Sequence, residues 1–86
     1  MDRTLRDGTE ISSYNGLLLD LGFAFGHSPA SERKRVVTFR SAQGQLCRVK
    51  NEEIFDYAGG DHSFKYDDAA LSAWLKTRCP GFAPGF

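Results

Sequence analysis

Several things are scarce in this sequence. There are three prolines, two cysteines, one methionine and one tryptophan among 86 residues. Cys47 and Cys79 are too few for the framework of several bridges that holds many small secreted domains together. The expectation is therefore a cytoplasmic protein with reduced thiols, Cys47 a small buried residue on a strand and Cys79 a surface thiol at a helix end. Net charge is missing too: eleven basic residues balance eleven acidic ones, which argues against a histone-like binder driven by bulk charge but not against a local basic patch. The longest apolar run, Gly16 to Gly26, has eleven residues and contains Asp20, whereas a membrane-spanning helix needs about 20. The chain does not open with a basic stretch followed by an apolar one, so no secretory signal is expected and no membrane partner either.

Chemical motifs are also few. His27, Cys47, His62 and Cys79 never fall into the close Cys or His pairs that structural zinc sites use, so no metal and no cofactor are expected. Gly22-Phe-Ala-Phe-Gly26 lacks the lysine and the turn into a helix that a phosphate loop requires. Asp61-His62 is the best catalytic-looking spot, because a carboxylate can orient an imidazole. Adjacent side chains rarely face one another, however, and a polar loop histidine is the more economical reading. No catalytic residue is assigned, and an enzyme centred on His62 is the least favoured of three functional readings.

What is present describes a shape. Hydrophobic residues make up 41% and aromatic residues 13%, enough for one small core in a chain of this length. Asp7-Gly8 favours a tight hairpin turn between short flanks, and Asn15-Gly16 is a second turn signal. From Leu17 to Phe25 one parity is wholly large and apolar (Leu17, Leu19, Leu21, Phe23, Phe25), which predicts a strand with one buried face. A helix through this run would have to absorb Gly16, Gly22 and Gly26 at about 1 kcal/mol each relative to alanine. His27 to Ser31 reads as a loop. Two strands flanking Ser41-Ala-Gln-Gly44, one within Arg33–Arg40, where Val36, Val37, Thr38 and Phe39 favour a strand, and one over Gln45–Lys50, read as a β-hairpin. Residues 51–57 fit either a short helix begun by Asn51 or a strand, and Ser63–Tyr66 a short edge strand. A helix over Ala69–Leu75, capped by Asp67 or Asp68 and stopped by Cys79-Pro80-Gly81, puts Leu71, Trp74, Leu75 and Arg78 on one face. The fold class is therefore α+β: a small antiparallel sheet of three to five strands packed against one C-terminal helix, with residues 1–80 a single domain and 81–86 a short Pro/Gly/Phe tail.

The zero net charge hides a segregation. Arg33, Lys34, Arg35, Arg40, Arg48 and Lys50 fall in a stretch with no acidic residue, and the next stretch, 51–68, holds six acids and one lysine. Either the two segments neutralise one another within the fold, or the basic hairpin stays free to meet a partner. These six cations are the candidate partner-binding residues, together with Phe82 and Phe86, which either lie back over the sheet or helix or serve as an aromatic hook. The first functional reading is a small non-enzymatic protein-binding regulator or inhibitor that occludes a site on a larger protein or nucleoprotein complex. Short chains of this kind include phage- and mobile-element-encoded antagonists of host or defence machinery, an expectation from size and class alone. The alternative is a nucleic-acid-binding module using the basic hairpin. Monomer and homodimer both remain open.

Overall fold

Two tight reversals organise the sheet. Gly8 takes a positive φ of 89°, which its lack of a Cβ permits, and the Thr9 N–H donates to the Asp7 carboxylate at 2.9 Å. This turn joins β1 (Arg3–Thr4) to β2 (Glu10–Ser12). The Ser41–Gly44 loop joins β3 (Val36–Arg40) to β4 (Leu46–Lys50), with the Ser41 and Gln45 backbones bonded across its mouth at 2.9 Å. The structure is a computed structural model that describes residues 3–22 and 27–82. It shows a four-stranded antiparallel sheet in the order β1-β2-β3-β4. Both hairpins are as the turn residues imply.

Alternation divides the strands into two faces. Ile11, Val37, Phe39, Cys47 and Val49 are buried on one side. Leu17, Leu18, Leu19, Ile54, Phe55, Leu71, Trp74, Leu75 and Phe82 complete the core with them. The C-terminal helix, α4 (Asp68–Arg78), forms as the spacing predicts: the Asp67 carboxylate accepts from the Ala70 N–H at 3.0 Å, and Leu71, Trp74 and Leu75 point inward. It has company. Three further α-helical segments, α1 (Leu18–Leu21), α2 (Ala30–Arg33) and α3 (Asn51–Ala58), and two 3-10 turns, Tyr14–Gly16 and His62–Tyr66, complete the described elements.

Five expectations are corrected. The predicted strand at 17–25 is, over its described part, a single helical turn following a 3-10 turn. Leu17, Leu18 and Leu19 are all buried while Leu21 is 44% exposed, a pattern no strand can produce. The glycine cost that argued against a helix does not arise. Gly16 and Gly22 bound the short α1 instead of lying inside it, and Gly22 ends it at φ 72°. Asn51 fixes this arrangement from a distance: its buried side chain accepts from the Leu18 N–H at 3.2 Å and donates to the carbonyls of Gly16 and Glu32. Phe23 and Phe25 lie outside the described residues. Part of the expected loop at 27–31 belongs to α2, which follows Pro29.

Residues 63–66 are a 3-10 turn, not an edge strand, because the Asp61 carboxylate accepts from both the Ser63 N–H and hydroxyl and starts a helical turn. The ambiguous 51–57 is helix α3, capped not by Asn51 but by the Glu53 carboxylate, which accepts from the Lys50 N–H at 2.8 Å. Finally, Cys47 and Cys79 are not free thiols. They form a disulfide, Cα atoms 6.0 Å apart, that ties β4 to the end of α4. The strand holds one cysteine on the inner face and the helix delivers the other beneath it, a meeting that two isolated cysteines do not announce.

Candidate partner-binding face

Every fully buried residue of β2, β3 and β4 lies on one side of the sheet, and on the other side the described strand residues are exposed or half-buried. On that bare side the register sets Val36 beside Lys50, Thr38 beside Arg48 and Arg40 beside Leu46. Val36 and Leu46 are each half exposed, so the face alternates cations with apolar side chains. Sequence alternation sets Val36 on this side with Thr38 and Arg40 and adds Arg48 and Lys50 to it; Leu46 was passed over, and its strand parity was the available signal.

The six candidate cations are only partly brought together. Arg40, Arg48 and Lys50 share the bare face. Arg40 is held by Glu10 of β2 at 2.6 Å, so it is not the unpaired cation at a hairpin tip that its position implied. Among the described residues Arg48 and Lys50 have no ion pair, nor do Arg33 and Lys34, which sit at the end of α2 and the turn after it. Arg35 falls on the opposite parity. It pairs with Glu32 at 3.5 Å and lies against Gly16, where a Cβ would collide with its guanidinium. Phe82 is not an exposed hook: it is 3% exposed and belongs to the core. Phe86 lies outside the described residues.

The acidic segment does not neutralise the basic one. Asp68 pairs with Arg3 and accepts from the Arg6 N–H, Asp67 caps α4, and Asp61 holds Ser63. Glu53 is the nearest exception, since it bonds the Lys50 backbone, but its ion pair is with Arg78 at 3.0 Å. Burial alone would raise the Glu53 carboxyl. The bonds from Arg78 and Lys50, with their charges, outweigh it and hold the group below the usual carboxylate range.

The remaining polar clusters are structural. Lys65 is buried against Asp20; that bond raises its ammonium above the ordinary lysine range, against the opposing effect of burial. His62 meets the Leu19 carbonyl through Nδ1 at 2.5 Å, and Asp61 is engaged with Ser63 instead of the imidazole. Among the described residues no group of three His, Cys, Asp or Glu side chains is arranged to hold a metal ion, and no helix is long and apolar enough to cross a membrane.

The exposed rings belong to α3 and to the 3-10 turn His62–Tyr66, not to the strands. Tyr57 packs against Phe64 and Trp74, at 5.5 and 5.8 Å between centroids, and Tyr66 follows the buried Lys65. No aromatic side chain stands on β1–β4 facing outward. No known protein family matches the chain, and no curated protein or solved structure is significantly similar to it.

Proposed function

We propose that the chain is a small non-enzymatic protein-binding module, a regulator or inhibitor that covers a site on a larger assembly by laying its bare sheet face on an acidic protein surface. The observation that carries this reading is the combination of unpaired Arg48 and Lys50 with half-exposed Val36 and Leu46 on an uncovered face. Cations of this kind steer and orient a partner of opposite charge, and the apolar side chains between them supply area to bury. A single-strand nucleic acid binder would place rings where its bases must stack, and the outward residues of these strands are aliphatic, hydroxyl or charged.

The test compares poly-L-glutamate with a single-stranded oligonucleotide as probes, on the wild type and on the double variant Arg48→Glu/Lys50→Glu. The proposal expects polyglutamate to bind the wild type, at least tenfold loss in the variant, and only a modest fall in melting temperature, because neither cation is in an ion pair although the Lys50 charge acts on Glu53. Tighter binding of the oligonucleotide than of polyglutamate would transfer the face to the nucleic-acid reading.

The working compartment turns on Cys47–Cys79. Disulfides persist in oxidising environments and are rare in a reducing cytoplasm. A free-thiol count on protein taken from its native compartment decides whether the cytoplasmic placement expected from the sequence stands.

A further inference from the structure

We infer that the free edge of β4 is a strand-docking site: the acidic partner proposed above adds an extended segment there, antiparallel, as a fifth strand. This inference rests on the acidic-protein reading and specifies how the partner is held.

The hydrogen-bonding pattern at the two ends of the β3–β4 ladder fixes which backbone groups are free. The Ser41 N–H bonds the Gln45 carbonyl and the Asn51 N–H bonds the Arg35 carbonyl, both in the register that pairs Val37 with Val49 and Phe39 with Cys47. Bonded and non-bonded pairs alternate in an antiparallel ladder. Leu46, Arg48 and Lys50 therefore direct their N–H and C=O groups away from β3, toward the open edge. The Lys50 N–H is taken by Glu53 and its residue begins α3, which closes that end. Leu46 and Arg48 remain, and no described backbone group pairs with their outward N–H and C=O. Four groups of alternating donor and acceptor character are what an extended peptide satisfies and a polynucleotide backbone does not.

Charge selects the occupant. A groove of about 460 Å³ lies at the Arg48–Lys50 end of β4, with Val36 and Val49 as its apolar lining and three cations, Arg48, Lys50 and Arg78, against two carboxylates, Glu52 and Glu53. Arg78 and Glu53 engage one another, so Arg48 and Lys50 face only Glu52 as an unengaged acid. A second copy of this chain is the obvious rival, because edge strands pair with themselves. Two-fold antiparallel pairing about Arg48 would set Arg48 directly opposite Arg48, and like charges directly opposite are destabilising. The same arginine that discourages self-pairing favours a strand with a carboxylate opposite it. The partner segment is therefore an extended one with acidic side chains at alternate positions, facing the bare side of the sheet.

The experiment uses the full oxidised chain and three synthetic seven-residue peptides of alternating Glu and Val. One is unmodified, one is N-methylated at its glutamates and one at its valines. With glutamate opposite Arg48, the glutamate N–H groups face β4 and the valine N–H groups face away. The expected result is binding of the unmodified and valine-methylated peptides with similar affinity, and at least tenfold weaker binding of the glutamate-methylated one. Leu46→Pro should reproduce that loss on the protein side, since it removes an N–H that the β3–β4 ladder does not use; the peptide series stands without it if the variant does not fold. Equal affinity for the two methylated peptides, with binding still lost in Arg48→Glu/Lys50→Glu, would overturn strand addition and leave the acidic-protein reading in place. Failure of all three peptides while polyglutamate binds overturns strand addition in the same way, and failure of polyglutamate as well removes the reading beneath it. A concentration-dependent dimer that excludes the peptides would assign the edge to a second copy and overturn the proposal.

Discussion

The two faces of the sheet are made from the same strands and differ in everything else. On the inner face Val37, Phe39, Cys47 and Val49 are sealed by residues of α1, α3 and α4 and by a disulfide. One residue along, Thr38, Arg40, Arg48 and Lys50 look out with no described element above them. The comparison separates what the fold needs from what it leaves over. The inner residues hold the molecule together, whereas two of the outer cations, Arg48 and Lys50, form no ion pair among the described residues although the next eighteen residues contain six acids.

Core truncation should give the largest contrast between the faces. Phe39→Ala is expected to lower unfolding free energy by about 3–5 kcal/mol and Thr38→Ala by roughly 0.5 kcal/mol or less, measured by denaturant titration. Comparable losses at the two positions would mean that the outer face is covered after all. Next comes the disulfide, which closes a loop of 32 residues between β4 and α4. Cys79→Ser should cost about 3.7 kcal/mol on the chain-entropy account, and added reductant should bring the wild type to the same stability. If reductant changes nothing, the inner face is held by packing alone.

The smallest effect belongs to the ion pair at the rim between the faces. Glu53 has its carboxyl held below the ordinary range in the folded state, so its contribution is present above that range and is lost as pH falls through the depressed value. Arg78→Met should remove about 0–1 kcal/mol at neutral pH and flatten this acid-side loss. The buried Lys65 behaves in the opposite sense. Its raised ammonium contributes below the ordinary lysine range, and the contribution is lost as pH rises through the raised value. Melting curves of the wild type and Arg78→Met from acid to neutral pH check the first statement, and an alkaline series on the wild type and Lys65→Met checks the second.

The sheet and its last helix were legible in the sequence because their signals are local. Asp7-Gly8, the Ser41–Gly44 loop, the parity of Val37 and Phe39, and Asp67 ahead of Leu71 and Trp74 each act within a few residues. The segment after Asn15 was not legible, because two conformations suit its leucines and the choice is made by Asn51, far along the chain. The same holds for the cysteine pair and for the grip of Glu10 on Arg40. Of the candidate site, Arg48 and Lys50 could be placed by parity. The burial of Phe82 was one of two readings left open, since a Pro/Gly-rich tail shows no period to choose between them.

The order of strands in the sheet repeats their order along the chain, and this bears on how the molecule assembles. Each hairpin closes over a short turn, so β1 with β2 and β3 with β4 can zip independently and early. The seam between β2 and β3 is different in kind: it must close over residues 13–35, which include both short helices. Chain closure of that length costs entropy before any contact across it is gained. The β2–β3 seam is therefore where the folding barrier should lie. Substitutions at Ile11 or Phe39, which meet across it, should slow folding, while Ala42 and Gln43 in the outer turn leave the rate unchanged.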